Sequence, residues 1–330
     1  MLILSRDDIK KCITMKDTIE ICKNALKNYS LGLANVPLRN KLDVKDSNGQ
    51  ILFMPANIND ADNALGIKIV SVYPNNIKLN LPSVPATMLI FDPKTGIASG
   101  LIDGTYLTKL RTAALQGAAT DLLAKENSKI ATLIGTGGQA YEQAHAMLCV
   151  RNLEELRVVG RNFEKTKKFV QLLKNDFNNF KTKFVEFEDA NKAVIDSDII
   201  TTVTTSKVPT FNAKFVKRGA HINGIGSFTP EMIELPKEII NKKNKIYFDT
   251  NEGVLSEAGD IILPLKENLI GINDFIGELG ELILNPEIGR KDNDEITVFK
   301  SVGTAVLDIA CGNEIVKHAL KLNIGKKVNL

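Results

Sequence analysis

No apolar run in this sequence reaches the ~18 residues that a membrane-spanning helix needs, so no membrane association is expected. The opening residues, MLILSRDDIKK, hold neither a long apolar core nor a basic leader, and no secretory signal is expected. Cysteines are few: Cys12, Cys22, Cys149 and Cys311. None forms a C-x-x-C pair, and so sparse a set excludes a disulfide framework. Reduced thiols in a cytoplasmic protein are expected. Excess charge is also scarce. A net charge of +3 is too small for a nucleic-acid footprint, and the basic run Asn241–Lys245 reads as a solvated loop. No metal site, internal repeat or low-complexity tract is evident. Tryptophan is absent, which excludes nothing.

What is present suits a globular protein. Hydrophobic residues make up 44% and charged residues 25% of 330 positions, room for two domains at ~100–200 residues each. Ser5 with Asp8, and Thr14 with Asp17, read as helix starts. Met15, Ile19, Cys22, Leu26 and Tyr29 follow at helical spacing, as a core-facing stripe. Strand-like runs come next at Lys41–Val44, Gln50–Met54, Leu65–Tyr73 and Ala86–Asp92. The turn Asp92–Gly96 leads into Ile97–Ile102, as in a hairpin. An antiparallel or mixed sheet is therefore expected here. The Ala- and Leu-rich run Leu107–Glu126 predicts a helix.

Beyond it the pattern alternates. Strands are expected at Lys129–Ile134, Glu155–Val159, Lys183–Phe187, Ile199–Val203, His221–Ile225 and Lys245–Asp249, with helices between several of them. That alternation predicts a parallel sheet covered on both faces. Ser301–Leu322 reads as a last helix that packs back on the first domain.

The stretch IATLIGTGGQA (Ile130–Ala140) runs an apolar strand into three glycines and then a helix, Gln139–Val150. Gly135, Gly137 and Ala140 match G-x-G-x-x-G/A. Gly135 permits the tight turn, Gly137 lets backbone approach a pyrophosphate, and Ala140 lets the helix sit against the strand. The candidate dinucleotide site is Gly135, Thr136, Gly137, Gly138, Gln139 and Ala140, at a helix N-terminus that favours anions. The second strand ends in Gly160, Arg161 and Asn162, without the acid that would bind a ribose 2′-hydroxyl. Arg161 stands where a 2′-phosphate would sit, so NADP(H) is favoured and NAD(H) is the alternative.

Five segments, GIKIVSVYPNN (Gly66–Asn76), LRTAALQGAA (Leu110–Ala119), IGTGGQA (Ile134–Ala140), GAHINGIGSFTPEMIELP (Gly219–Pro236) and VFKSVGTAVLDI (Val298–Ile309), occur in this order over most of the chain. Together they resemble the ornithine cyclodeaminase/mu-crystallin family. The resemblance implies an α/β protein with a Rossmann NAD(P)-binding domain at residues 113–303. A mixed α+β substrate-binding and dimerisation domain would be formed by residues 1–112 and 304–330, and the assembly would be a homodimer. Activities in the family pass a hydride between a nicotinamide and the α-carbon of an amino or imino acid.

The residues agree with that chemistry. An α-imino acid needs a fixed cation for its carboxylate, because hydride transfer demands an aligned approach. The planar fork of Arg111 matches a carboxylate, and Arg111 resembles the family's carboxylate-binding arginine. Lys68 sits between Ile67 and Ile69, a costly place for an unpaired charge. Burial near a guanidinium would lower its pKa toward proton exchange with the imine nitrogen, and it resembles the family's active-site lysine. Arg39 resembles a second carboxylate contact, and Thr112 a contact of the cofactor phosphate. Tyr73 and Asn76 are candidate lining residues. Thr204, Thr205 and Ser206 follow a strand of the parallel sheet, where ligands bind, and Asn223–Ser227, with Gly226, are expected near the nicotinamide. His221 reads as a structural group.

One position departs from the family pattern. Ornithine-cyclising members carry an aspartate two residues before the proline of GSFTP, and here that residue is Phe228. Phenylalanine neither pairs with an ammonium nor accepts a proton. The expected substrate is therefore already cyclic, such as 1-pyrroline-2-carboxylate, with Phe228 lining its site, unless Asp308, Glu278 or Asp249 supplies the acid. Ornithine cyclodeamination, alanine dehydrogenase-like reductive amination and a non-catalytic dinucleotide-dependent binding role remain the alternatives.

Overall fold

The computed structural model describes residues 1–61 and 63–329. The chain divides into two compact units, Met1–Arg111 with Thr304–Leu330, and Thr112–Gly303. The first unit comprises β1 (Leu2–Leu4), α1 (Arg6–Cys12), α2 (Met15–Ser30), β2 (Ala34–Asn35), β3 (Asn40–Val44), β4 (Gly49–Ile58), β5 (Ala64–Val72), β6 (Ala86–Phe91) and β7 (Ala98–Asp103). The boundary between units falls inside α3 (Gly104–Leu123). The second unit holds β8 (Ile130–Ile134), α4 (Ala140–Val150), β9 (Glu155–Val159), α5 (Phe163–Asp176), β10 (Lys183–Phe187), α6 (Ala190–Val194), β11 (Ile199–Thr202) and β12 (His221–Gly224). It continues through β13 (Lys245–Phe248), α7 (Asn251–Glu257), α8 (Gly259–Lys266), β14 (Gly277–Glu278), α9 (Leu279–Leu284) and β15 (Thr297–Lys300). The chain then re-enters the first unit as α10 (Ala305–Leu322) and β16 (Lys326–Lys327).

In the first unit, reciprocal capping boxes start both N-terminal helices. Ser5 and Asp8 exchange side-chain and backbone hydrogen bonds at α1, and Thr14 and Asp17 do so at α2. Such caps contribute about 1 kcal/mol each. The sheet runs β16-β1-β7-β6-β5-β4-β2, with β3 also paired to β4. All its pairs are antiparallel except β1 with β7. Along β5 the two-residue period buries Ala64, Gly66, Lys68 and Val70 and leaves Leu65, Ile67 and Ile69 half-buried. α10 packs on the buried face. A Cβ on Gly66 would stand 3.0 Å from Ile309 Cδ1, and one on Gly100 2.5 Å from Val316 Cγ2, so these glycines let the helix come close. Val306, Leu307, Ile309, Ile315 and Val316 are buried on α10, each worth roughly 1.5–3 kcal/mol.

The second unit is an eight-stranded sheet in the order β10-β9-β8-β11-β12-β15-β13-β14, with every pair parallel. Its middle strands are buried along their whole length, as expected where helices cover both faces. From β8 the chain steps outward to β9 and β10, then crosses to β11 on the other side. That reversal puts the carboxyl ends of β8 and β11 at the switch point, where sheets of this kind bind ligands.

Two boundaries and one strand that differ from expectation have tertiary reasons. α3 ends at Leu123, not Glu126, because the guanidinium of Arg151 caps it. Arg151 donates to the carbonyls of Thr120, Asp121, Ala124 and Lys125 at 2.9–3.0 Å, taking up carbonyls that a helix end leaves open. The last helix begins at Ala305, not Ser301, because Asp249 Oδ2 accepts from Ser301 Oγ, Val302 N and Gly303 N. β15 was not expected at all. Lys300 breaks its apolar run, yet the strand lies between β12 and β13.

Candidate active site

In the first unit, Lys68 (β5), Arg111 (α3) and Asp308 (α10) converge. Lys68 Nζ lies 2.6 Å from Asp308 Oδ2, and Arg111 Nε lies 2.9 Å from Asp308 Oδ1. The residues are 1%, 5% and 0% exposed. Two cations thus share one carboxylate, and the surplus is positive. Arg111 Nη1 is buried and has no hydrogen-bond partner among the described residues, a donor whose isolation costs about 1–3 kcal/mol unless something accepts from it. Burial, and then the Arg111 charge, pull the Lys68 pKa down to about 7, against the opposing pull of Asp308. Burial works to raise Asp308, but Arg111 and Lys68 outweigh it and hold the carboxyl below its usual range. Arg39 is half-buried and also depresses Lys68. A lysine that ionises near neutrality beside an open guanidinium nitrogen suits proton exchange next to a bound carboxylate.

In the second unit, β8 enters the glycine turn. Gly135 has φ +122°, and a Cβ there would sit 2.5 Å from Val203 O, so only glycine fits without strain. Gly137 is exposed, with no atom within 4 Å of the place a Cβ would take. Thr136 and Gln139 are half-buried, Gly138 is exposed and Ala140 is buried. α4 begins at Ala140, and no side chain caps it. Ala140 N turns back onto Gly137 O at 3.1 Å, and an uncapped helix start of this kind favours an anion. Arg161, just past β9, is exposed, and Thr112 in α3 is half-buried.

The loops after β11 and β12 meet. Thr204 N donates to Glu234 Oε1, while Gly226 N and Ser227 N donate to Glu234 Oε2. Ser206 Oγ is turned onto Val208 O at 2.6 Å, and Thr205 is exposed. Gly226 therefore offers a ligand no free N–H. Asn223 does not open toward a ligand as expected. It is buried, and it bonds Thr120, Thr201 and His221. Both ring nitrogens of His221 are engaged, by Thr297 and Asn223, and burial pushes its pKa down to about 3.

The Tyr73 ring packs by Gly49, and Asn76 holds Pro82 O within its own loop. Phe228 is half-buried. Of the three candidate acids, Asp249 is consumed by the turn before α10, and Glu278 accepts from Asn251 N. Only Asp308 stands beside Lys68 and Arg111. Its signal in the sequence is a lone acid in the apolar run AVLDIACG, which burial obliges to find a cation. Glu234 and Asp260 carry the same signal in MIELP and GDIILP.

A parallel sheet whose strand order reverses beside a glycine turn, joined in the chain to a mixed sheet holding a buried lysine–aspartate–arginine group, defines a Rossmann-type protein with a second α+β unit. The chain belongs to the ornithine cyclodeaminase/mu-crystallin family, whose model matches residues 1–322. It is 37% identical over 328 residues to a Delta(1)-pyrroline-2-carboxylate reductase of Bacillus cereus, covering 99% of each chain. The structure of the Thermococcus litoralis Delta(1)-pyrroline-2-carboxylate reductase in complex with NADH and L-proline superposes with a TM-score of 0.94 at 40% identity, over 99% of this chain and 100% of that one. An archaeal alanine dehydrogenase dimer with bound NAD gives 0.91 at 32% identity, over 100% and 99%. Among the described residues no helix is long and apolar enough to cross a membrane.

Proposed function

We propose that this protein reduces a cyclic α-imino acid, 1-pyrroline-2-carboxylate or a related ketimine, to the amino acid, which is L-proline for the five-membered ring. The observation that carries the reading is the unpartnered Nη1 of Arg111 beside a lysine that ionises near 7. The substrate carboxylate accepts from Arg111, with Arg39 as the second cation. Asp308 holds the Arg111 and Lys68 side chains in place. Lys68, half protonated near neutral pH, gives the imine nitrogen its proton. Phe228 lines the substrate and offers an open-chain diamine no anion. A bound reduced nicotinamide supplies the hydride to C2.

The turn Gly135–Ala140 fits a diphosphate through its uncapped helix start and the open space at Gly137. Thr112, Thr204, Thr205, Ser206 and the backbone at Gly226 complete the dinucleotide's surroundings. Arg161 favours NADP(H) over NAD(H), since guanidinium binds a 2′-phosphate bidentately. The two structural relatives bind NADH and NAD, so titration with both dinucleotides decides the preference. A homodimer would use the half-buried face of the first sheet, where Ile3, Leu101, Leu89, Ile67 and Pro55 stand in register across five strands. Four free thiols suit a reducing cytoplasm.

Incubation with NADPH or NADH and a panel of imino acids, followed by nicotinamide absorbance, tests the reading. Arg111→Ala should lower turnover about 100-fold or more and leave dinucleotide affinity nearly unchanged. Wild-type turnover in that variant would remove the anchor. Ammonia release from ornithine without net dinucleotide consumption would select the cyclodeaminase alternative. Turnover only with ammonia and pyruvate would select reductive amination, and dinucleotide binding with no turnover a binding role.

A further inference from the structure

We infer that Glu234 is a positioning residue that ties the loops after β11 and β12 into one ligand-facing rim, its single buried carboxylate holding three backbone N–H groups. Glu234 is 0% exposed. Oε1 accepts from Thr204 N at 2.5 Å, and Oε2 accepts from Gly226 N at 2.6 Å and Ser227 N at 2.8 Å. The loops touch backbone to backbone, for a Cβ on Gly226 would overlap the N and O atoms of Thr204. The chain around Glu234 is fastened to the same loop, with Ile233 N donating to Ser206 O and Thr210 N to Glu234 O, both at 2.8 Å.

Lys300 completes the arrangement from β15. Its buried ammonium donates to Gly224 O at 3.0 Å and Ser227 O at 2.7 Å, and lies 3.3 Å from Asp260 Oδ2. Asp260 Oδ1 in turn accepts from Glu234 N and Leu235 N at 2.7 and 3.0 Å. Between Gly224 and Ser227 the chain thus has two N–H groups held by Glu234 and two carbonyls held by Lys300. Burial pushes the Glu234 carboxyl up, against the pull of Lys300, but both its oxygens face N–H donors, which only the carboxylate can accept from at once without turning an O–H toward them. Charge-assisted bonds of this kind are about twice as strong as neutral ones. Loops at the carboxyl ends of parallel strands are where such sheets bind ligands. Their shape here is set by a carboxylate that no ligand needs to touch.

The inference rests on the dinucleotide reading above, and the test separates the two. Glu234→Gln keeps the size of the side chain but turns an amide NH2 toward N–H groups. The full chain is compared with wild type by hydrogen–deuterium exchange of residues 204–206 and 224–229, by NADH and NADPH titration through nicotinamide fluorescence, and by kcat and KM for the imino acid. The variant should exchange both loops faster together and raise the dinucleotide Kd about tenfold or more. Wild-type exchange, or loosened loops with unchanged Kd and kcat/KM, would overturn the inference. If Glu234→Gln does not fold, Glu234→Asp, which keeps the charge but withdraws the carboxylate by one methylene from the three N–H groups, decides by the same outcomes. If wild type binds neither dinucleotide, the functional reading fails, and the exchange of the two loops alone decides whether Glu234 ties them.

Discussion

Each unit buries an ion cluster built from the same kinds of side chain, and the two complete their hydrogen bonds differently. In the first unit Lys68 and Arg111 share Asp308, and Arg111 Nη1 is left open. In the second, the carboxylates of Glu234 and Asp260 close on the backbone amides of Thr204, Gly226, Ser227, Glu234 and Leu235, and the one oxygen of these two carboxylates without a hydrogen bond among the described residues, Asp260 Oδ2, faces the Lys300 ammonium at 3.3 Å. Buried charge is costly in both places. Where main-chain groups take up the bonds, the charge holds loops in shape. Where a donor stays open, the charge is poised for an anion from outside.

The sharpest way to break this contrast is to remove one carboxylate from each cluster. Asp308→Asn should lower turnover about 100-fold or more by misplacing Lys68 and Arg111. Asp260→Asn should act chiefly on stability. Breaking a buried pair costs roughly 3–5 kcal/mol, read by denaturant unfolding. Equal turnover losses in the two variants would erase the distinction.

Lys68 gives the next largest effect, in pH dependence. It ionises near 7 in the fold against 10.5 ordinarily. Between those values the unfolded chain binds a proton that the folded chain lacks, so stability rises with pH across the window. Below about 7 both states are protonated and the contribution is at its least. Unfolding measured from pH 6 to pH 10 should show that rise in wild type, and Lys68→Met should flatten it.

The smallest effect belongs to the exposed Arg161. Arg161→Ala should change stability by less than about 0.5 kcal/mol. It should weaken NADPH binding about tenfold and leave NADH binding alone, by paired titrations. An unchanged NADPH-to-NADH ratio would withdraw the preference.

Much of the fold was legible along the chain because its causes are local. The capping pairs at Ser5 and Thr14, the period-two runs of β4 and β5 and the glycine turn after β8 each depend on residues within a few positions of one another. β15 escaped because Lys300 made a buried strand look polar. Asp260 and the carbonyls of Gly224 and Ser227 make that burial tolerable. Asn223 looked available beside the turn of the GIGSFTP segment, yet His221, Thr120 and Thr201 enclose it.

By itself the sequence determined the order and type of most elements, the position of the glycine turn, and the absence of a carboxylate at Phe228. The tertiary structure alone decided that Lys68 meets an aspartate 240 positions away, that Arg111 meets the same aspartate across 197 positions, and that Glu234 rather than a ligand holds the amides of Gly226 and Ser227. Strand periods, caps and turns follow from short-range sterics and hydrogen bonding. The partner of a buried charge is chosen by whichever side chain the packed elements bring within about 3 Å of it, and no local pattern records that.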